Sequence, residues 1–365
     1  MRQVTAEDLE AIEIGAAILG TGGGGNPYIG KLRCREELRK GHQINIIPLH
    51  ELSDDAWVVS LGGIGAPVVG VEKIEQGEEC LRALYALEKE TGNKIDAVIS
   101  SEIGGANAME PMLTGAQAGI PVVDGDGMGR AFPEMQMCTW SIYGHKSTPS
   151  AMADEKGSII IIRDTTSEIA LERFARATVV EMGAAGAIAL APMRGSFVKR
   201  YAIPNTITQA LQLGRSVLES QINNSDPINT VLEKEDGQLV MTGKIIDLER
   251  HLKGGFAVGH VNVEGFGDFR GKLGEIYLQN EFLVFKLDGE VRACVPDLIV
   301  VLEADTGLPI TTEMLRYGQR VAVLALPCHD LLRSEEALEV IGPAAFGYPE
   351  ITYTPLVRNS SREGN

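Results

Sequence analysis

Apolar positions near the start of the chain repeat with the spacing of a helix. The repeating apolar positions run from Leu9 to Ile18. They come directly after Thr5-Ala6-Glu7-Asp8, a sequence typical of a capped helix N-terminus. Residues 28–40 also have helical character and end at Gly41, and residues 43–48 have the character of a strand. The chain is therefore predicted to open with two helices followed by a strand.

From residue 56 onward, short apolar runs alternate with longer amphipathic segments. Strands are predicted at 56–61, 95–100, 120–123, 158–162 and 184–191, and helices at 73–91, 107–118, 167–182 and 204–220. The runs at 95–100 and 158–162 are almost continuously apolar, as in strands buried on both faces of a parallel sheet. Strands and helices that alternate in this way predict an α/β fold with a doubly wound parallel sheet.

The character of the sequence changes after Asp226-Pro227. Short β-rich runs separated by turn residues occupy 256–263, 275–287, 291–294, 298–302 and 320–326. They predict a C-terminal β-rich domain, either a sandwich or a barrel. We place the N-terminal α/β domain at 1–183 and the C-terminal domain at 184–358, with the boundary falling between 183 and 226.

Composition narrows the class of partner. The chain of 365 residues carries 33 basic and 50 acidic side chains, a formal net charge of −17 that disfavours nucleic acid or an anionic membrane surface. Its five cysteines are scattered without a Cys-x-x-Cys pair, which indicates a reduced, cytoplasmic protein. No secretory signal pattern or membrane-spanning run is evident in the sequence. We expect a homo-oligomer, since soluble enzymes commonly assemble.

A run of four glycines follows the first predicted helix. Consecutive glycines add no side-chain packing and cost backbone entropy, so they indicate backbone that must approach another group closely. Their amide N–H groups then form a nest able to hold an anion or oxyanion, whereas a mobile loop is the alternative. The substrate-binding candidates from this glycine segment are Thr21, Gly22, Gly23, Gly24, Gly25 and Asn26.

The glycine segment matches neither common nucleotide motif. Gly20-x-Gly22-x-x-Gly25 has the dinucleotide spacing, but a predicted helix precedes it where that motif needs a strand. The phosphate-binding P-loop requires Lys-Ser/Thr after its last glycine, and Asn26-Pro27 stands there instead.

Three predicted loops leave the carboxyl ends of neighbouring strands, where doubly wound sheets bind their ligands. The first carries Gly62, Gly63 and Gly65. The second and third supply four catalytic candidates: Glu102, Asp124, Asp126 and Arg130. They also supply three substrate-binding candidates: Gly104, Gly105 and Asn107. We expect these carboxylates to face the same crevice as the glycine segment.

The carboxylates allow several kinds of chemistry. Glu102, Asp124 and Asp126 could hold a divalent cation through oxygen, or crowding could separate their pKa values for acid–base work. Asp-Gly-Asp-Gly is also ordinary turn chemistry. Arg130 either clamps a substrate carboxylate or neutralises the aspartates. Cys138 could be a nucleophile with His145 as base, but residues 137–140 have the pattern of a buried strand, which favours a packed thiol.

Three motifs resemble one family. Residues 15–30 around the glycines, Glu102-Ile-Gly-Gly-Ala-Asn107, and Pro121 to Glu134 around Asp-Gly-Asp-Gly resemble the S-methylthiohydantoin desulfurase-like family, found in hydantoin-utilisation gene clusters. Motifs in the C-terminal half agree: Gln279-Asn-Glu-Phe-Leu283, Val295-Pro-Asp-Leu-Ile299, Tyr317-Gly318 and Ile341 to Gly347. The resemblance implies a Rossmann-like α/β domain followed by a β-rich domain.

The resemblance also implies a role beside hydantoinase- or oxoprolinase-type enzymes, which open cyclic ureides and lactams. The activity named for the family is hydrolytic removal of methanethiol from a methylthio-substituted hydantoin ring. We therefore expect a hydrolase for a small cyclic ureide, with Glu102 or Asp124 activating water and the amides of Gly23 to Gly25 holding the developing charge. The alternative is a non-catalytic protein that binds a ligand or nucleotide, or an accessory subunit that packs against a hydantoinase- or oxoprolinase-type partner. Tyr277, Phe282 and Phe285 could then supply an interface.

Overall fold

The fold is described from a computed structural model, which covers residues 1–65, 73, 75–253 and 256–357. Two predictions fall partly outside these residues: the loop at 62–67 and the start of the helix at 73–91. The described part of that helix begins at Glu79, whose carboxylate accepts the amide N–H groups of Gln76 and Gly77 at 2.6 and 2.7 Å. No helix in the described ranges has the length and apolar character needed to cross a membrane.

The first layered unit contains nine helices and ten strands among the described residues. Its helices are α1 (Ala6–Leu19), α2 (Tyr28–Arg39), α3 (Glu79–Thr91), α4 (Glu110–Ala118), α5 (Thr139–Ile142), α6 (Glu168–Glu181), α7 (Gly195–Tyr201), α8 (Thr206–Ile222) and α9 (Pro227–Lys234). Its strands are β1 (Arg2–Gln3), β2 (Asn45–Pro48), β3 (Trp57–Gly65), β4 (Ala97–Ser100), β5 (Val122–Asp126), β6 (Ser150–Ala153), β7 (Ile159–Ile162), β8 (Ala185–Ala189), β9 (Met193–Arg194) and β10 (Ile203–Pro204).

These strands form one mixed sheet around a parallel centre. The path runs β1-β2-β5-β4-β3-β8-β6-β7, with β10 paired to β5 and β9 to β3. The pairs β2–β5, β5–β4 and β4–β3 are parallel. The strands added at either side pair antiparallel. The predicted α/β class with a parallel sheet is therefore confirmed.

Helices cover both faces of this sheet. Successive side chains of a strand point to opposite faces, so neighbouring residues of one strand pack against different helices. Ala151 and Ala187 belong to the same buried cluster as the apolar face of α3. Met152 and Ile188, their neighbours in sequence, pack instead with Leu171 and other residues of α6. The sheet is consequently a central layer between two helical layers.

Two strand predictions need correction. The glycines at 62–65 do not form a loop, because β3 continues to Gly65 and pairs antiparallel with β8, from Leu61↔Ala189 to Gly65↔Ala185. The run at 158–162 is not a buried parallel strand. The strand in this run, β7, is the last strand of the sheet and pairs antiparallel with β6 alone among the described strands. Ile159 and Ile160 are 49% and 40% exposed.

The second sheet is wholly antiparallel and forms a half-barrel. Its strands are β11 (Gln238–Lys253), β12 (Phe256–Gly265), β13 (Leu273–Gln279), β14 (Glu281–Leu287), β15 (Glu290–Cys294), β16 (Leu298–Glu303) and β17 (Arg320–Leu326), followed by helix α10 (Glu335–Ile341). The order is β15-β14-β13-β12-β11-β17-β16, and β14 and β15 also contact β16 because the sheet curls. The predicted β-rich C-terminal region is confirmed.

Two details of the second sheet differ from the predictions. Strand β11 was not expected, because charged residues from Asp247 to Lys253 interrupt its apolar pattern. Phe282 and Phe285 are fully buried in the core of the sheet, so their side chains cannot supply the predicted partner interface. The domain boundary stays a prediction: the first sheet takes in strands as far as Pro204, and the second begins at Gln238.

Helices α1 and α8 pack closely through two glycines. A Cβ atom on Gly15 would lie 1.8 Å from the carbonyl oxygen of Ala210, and one on Gly214 would lie 1.8 Å from that of Ala11. Backbone therefore meets backbone at both positions, and neither carbonyl can turn away without disturbing its own helix.

We predict that Gly15→Ala or Gly214→Ala lowers the free energy of unfolding by about 2 kcal/mol, the cost of overpacking a tight contact. In an open helix position the same change would stabilise the protein by roughly 1 kcal/mol. Urea unfolding followed by circular dichroism measures the difference. Gln212→Ala, at an exposed position of α8, is the control and should leave stability within about 0.5 kcal/mol. A stabilising glycine substitution would contradict the packing described here.

Candidate functional site

A cavity with a volume of about 450 Å³ lies where the two sheets meet. The glycine segment forms one wall, the loop after β4 forms another, and residues at the start of β14 close a third. These three walls contribute the polar side chains of Asn26, Ser101, Glu102, Asn107, Asn280 and Glu281. A cavity of this size accommodates a small-molecule ligand.

Glu102 and Asn107 form a hydrogen-bonded pair in this wall. Asn107 Nδ2 donates to Glu102 Oε1 at 2.5 Å, the amide of Phe132 donates to Glu102 Oε2 at 3.1 Å, and Asn107 Oδ1 accepts the amide of Gly63 at 2.7 Å. Ser100, the last residue of β4, fixes the intervening turn by donating to the carbonyl oxygens of Glu102 and Asn107. Both side chains are thus held in one orientation before any ligand binds.

Burial raises the pKa of Glu102 to about 7. The hydrogen bonds from Asn107 and Phe132 favour the ionised carboxylate and oppose this shift, whereas the nearby charge of Asp126 adds to it. The carboxyl of Glu102 is therefore divided between its two protonation states near neutral pH. This is the condition that suits a general acid or base.

The glycine segment lies against the loop after β4 with no room for side chains. A Cβ on Gly24 would lie 2.3 Å from the carbonyl oxygen of Gly104, and one on Gly105 would lie 2.3 Å from that of Gly25. The amide of Ala106 donates to the carbonyl of Gly24 at 2.9 Å across this contact. Gly104 and Gly105 therefore allow two loops to touch, and neither lines the cavity.

The amides of the glycine segment divide into two groups. Gly23 N–H donates to the carbonyl of Gly20 at 2.8 Å, so it is not available to a ligand. Gly24 and Gly25, both with positive φ, line the cavity, and their N–H groups make no hydrogen bond within the described ranges. The predicted nest is thus reduced to two amides. Asn26 also lines the cavity, and its Oδ1 accepts the amide N–H of Tyr28, the first residue of α2.

The other end of the glycine segment contacts the second sheet. Thr21 accepts the amide of Phe282 through its carbonyl at 2.8 Å, and the carbonyl of Gly22 accepts the amide of Thr312 at 2.8 Å. A Cβ on Gly22 would lie 2.5 Å from the ring of Phe282. Thr21 and Gly22 therefore hold the segment in place and do not line the cavity.

Arg130 is fully buried outside the cavity, where it joins the two sheets. Its guanidinium donates to Thr21 Oγ1 at 2.8 Å and to the carbonyl oxygens of Phe282 and Asp297 at 3.1 and 2.8 Å. Burial lowers its pKa to about 10, so it stays protonated at neutral pH. All of these contacts are internal, which leaves no group free to clamp a substrate.

Asp124 and Asp126 also lie outside the cavity. Asp124 caps α8, accepting the amides of Ile207 and Thr208 at 3.0 and 3.1 Å and the Thr208 hydroxyl at 2.5 Å. This is the N-cap role for which aspartate is favoured. The structure therefore brings Glu102 and Asn107 to the glycine segment, and it does not bring Asp124 there.

Asp126 binds backbone amides through a single oxygen. Its Oδ2 accepts N–H groups from Ile103, Met128 and Gly129 at 2.8 to 3.1 Å, which fixes the two loops in their relative positions. Burial raises its pKa to about 7. In the described part of the chain no group of three or more His, Cys, Asp or Glu side chains is arranged to hold a metal ion. The donors predicted for a cation therefore do not fit one.

The cavity residues that the sequence reasoning missed include Asn280 and Glu281. Glu281 is 2% exposed, and its Oε2 has no hydrogen-bond partner among the described residues. Gly23 leaves space for its carboxyl, since a Cβ there would lie 2.0 Å from Oε1. Burial raises its pKa well above the usual value, the charge of Glu102 adds to the shift, and Arg130 opposes it. The available signal was a polar pair inside the apolar run at 275–287.

Cys138 and His145 do not form a catalytic pair. Residues 137–140 are buried, but they turn into the short helix α5 instead of forming the predicted strand. Burial raises the pKa of the Cys138 thiol, which lines the cavity in its protonated form. His145 Nε2–H donates to the carbonyl of Ala191 at 3.2 Å, and the imidazole lies against the ring of Phe197.

The cavity continues into a charged end. Arg33 forms ion pairs with Glu75 and, at 3.8 Å, with Glu110, and Lys73 pairs with Glu155 at 2.7 Å. Burial and the charge of Glu75 raise the pKa of Glu110 to about 7. These charges largely neutralise one another, so this end is polar without a strong net sign.

Comparison with known proteins gives two family matches. The S-Me-THD-like N-terminal domain matches residues 7–164, and the S-Me-THD-like C-terminal domain matches residues 166–356. A crystal structure of a protein from Chromobacterium violaceum superposes with a TM-score of 0.82 over 98% of this chain and 100% of its own, at 22% sequence identity. That similarity shows a shared fold. No curated protein gives a significant sequence match.

We predict that Arg130→Lys lowers the free energy of unfolding by about 3 kcal/mol or more. A lysine keeps the charge but cannot reach the separate acceptors on Thr21, Phe282 and Asp297, and each buried acceptor left unpaired costs about 1–3 kcal/mol. Urea unfolding measures the loss. Arg292→Lys, at an exposed position on β15, is the matched control and should change stability little. Equal effects of the two substitutions would contradict the role given to Arg130.

Proposed function

Because the chain belongs to the S-Me-THD-like family, we propose that it is a hydrolase that removes methanethiol from a methylthio-substituted hydantoin or a similar small cyclic ureide. The observation that carries the proposal is the buried Glu102 carboxyl, oriented by Asn107 in the wall of a ligand-sized cavity. The pKa of about 7 gives this carboxyl both protonation states at neutral pH.

Glu102 acts as the general base in the first step. The substrate carbon that carries sulfur is amidine-like, and it needs activated water more than a strong protein nucleophile. Ionised Glu102 takes a proton from water, and the water oxygen bonds to that carbon. Asn107 keeps the accepting oxygen in place, because its amide group is itself held by Gly63.

Two backbone amides stabilise the charge that develops on the ring. When water adds, the electron pair of the carbon–nitrogen double bond moves to the ring nitrogen. Gly24 and Gly25 line the cavity, and their N–H groups have no described partner. Donors that are already oriented and removed from bulk water stabilise such a charge effectively.

Glu281 supplies the proton for the leaving group. Burial raises its pKa well above the usual value and so favours the protonated form, and its Oε2 lacks a hydrogen-bond partner in the described part of the chain. When the carbon–sulfur bond breaks, the sulfur takes this proton and leaves as methanethiol. Protonated Glu102 passes the proton that it took from water to the ring nitrogen. The new hydroxyl loses its proton to solvent as the carbonyl forms, and solvent returns a proton to Glu281. Water and the thioether therefore give a ring carbonyl with an adjacent N–H and a free thiol.

The reactive form of the pair holds one proton, with Glu102 ionised and Glu281 protonated. A pair of acidic groups whose environments separate their pKa values provides an acid and a base in the same site. Apolar groups such as Met128, Phe132 and Ile188 form other parts of the wall and suit the flat, uncharged ring.

We predict that Glu102→Gln lowers kcat/KM for thiol release from a methylthiohydantoin by about 10²–10⁴-fold, the usual contribution of a general base. In the unaltered protein kcat/KM should rise as the pH approaches 7 from below, because only ionised Glu102 accepts a proton. The variant should lose this rise. Released thiol is measured colorimetrically with the purified chain.

Glu37→Gln is the matched control for this experiment. Glu37 is as buried as Glu102 and hydrogen-bonded, but its partners Lys40 and His42 lie at the end of α2, outside the cavity lining. It should keep full activity. Full activity in folded Glu102→Gln would refute the mechanism, and a purified chain that is inert towards every methylthiohydantoin would favour the predicted accessory role.

We predict a different pH signature for Glu281→Gln. The unaltered protein should show a bell-shaped profile, since activity needs ionised Glu102 and protonated Glu281, and the two limbs report the pair. Glutamine cannot ionise, so the alkaline limb should disappear while the acid limb near pH 7 remains, with kcat reduced. Retention of both limbs in this variant would remove Glu281 from the reaction.

A further inference from the structure

Strand β7 is an exposed apolar edge. It closes one end of the first sheet, and no other described strand pairs with its outer side. All four of its residues are isoleucine, and the first two, Ile159 and Ile160, are 49% and 40% exposed. Monomeric proteins usually protect such edges with charge, proline or a covering element, because unpaired strands associate.

The hydrogen bonds to β6 show which backbone groups face outward. The carbonyl of Ser158 accepts the amide of Asp154, so Ser158, and with it Ile160 and Ile162, direct their backbone groups towards β6. Backbone direction alternates along a strand, so the N–H and C=O groups of Ile159 and Ile161 point outward. A partner strand must pair with these two residues.

In one antiparallel register, two copies of β7 pair all the outward-facing backbone N–H and C=O groups of Ile159 and Ile161 with each other. If Ile159 pairs with Ile161 of a second copy, both outward-facing residues of each strand exchange their hydrogen bonds. Ile160 then lies on the two-fold axis opposite its own copy, as a non-hydrogen-bonded pair with closely spaced side chains. Three isoleucines of each strand are buried against three of the other.

Charges beside the strand favour the same register. Lys156 lies in the turn just before β7 and Asp164 lies two residues after its end, so this arrangement brings Lys156 of one copy and Asp164 of the other to the same end of the paired strands, twice over. The side chains of Lys156 and Asp164 are 74% and 75% exposed. Within the chain Lys156 pairs with Glu155 and Asp164 pairs with Lys146, and ion pairs at the surface contribute little stability. Shifting the register by two residues in either direction separates this pair.

We propose that the protein associates with a second copy of itself through β7, antiparallel about a two-fold axis at Ile160, so that the two first sheets join into one. Helix α3 packs against β7 on the Ile159 and Ile161 face, and Tyr85 of that helix is 49% exposed. The proposed partner of this edge is therefore a second copy of the same chain. This proposal does not depend on the proposed reaction.

Sedimentation and light scattering at micromolar to tens of micromolar protein test the proposal. The unaltered chain should show a dimer. Ile160→Lys should abolish it, because two lysines would face each other across the axis. Ile222→Lys, at a 78% exposed position remote from β7, is the control and should leave the dimer unchanged.

A charge exchange tests the register itself. Lys156→Asp or Asp164→Lys alone should weaken the dimer at low salt, because like charges then face each other, and the double variant should restore it by exchanging the two signs. A monomeric unaltered chain would overturn the proposal. A dimer that survives Ile160→Lys would show that another surface holds the copies together, and a double variant no better than the single ones would exclude this register.

Discussion

One buried cation holds the two sheets together. The Arg130 side chain is hydrogen-bonded to the glycine segment at Thr21, to β14 at Phe282 and to the turn at Asp297. A guanidinium can serve several carbonyl acceptors at once because its donors are fixed in one plane. The cavity has walls from both sheets, so its shape depends on this joint, although Arg130 itself does not line it.

The glycines around the cavity serve packing first and binding second. Gly22, Gly24 and Gly105 each stand where a Cβ would overlap a neighbouring ring or carbonyl, so they allow loops to approach one another. Only the amides of Gly24 and Gly25 remain without described partners in the cavity. Close packing therefore explains the conspicuous glycine run, and the chemistry we propose uses two of its N–H groups.

Sequence pattern predicts what local periodicity and strand ends determine. It predicted the α/β order and placed Glu102 and Asn107 at a ligand-binding edge, because parallel strands end together. It did not separate Asp124, which caps a helix eighty residues later, from a catalytic aspartate. Glu281 enters the cavity only through the packing of one sheet on another, and the isoleucines of β7 carry no local sign that their strand lies at an edge.

In the proposed reaction Glu102, Gly24 and Gly25 surround the reacting ring. A crystal structure of the protein with hydantoin, the expected product, is the decisive test of this arrangement. We expect the ring in the cavity, with one polar edge within hydrogen-bond distance of the Glu102 carboxyl and another at the two glycine amides. Hydantoin bound elsewhere, with this cavity holding only solvent, would contradict it.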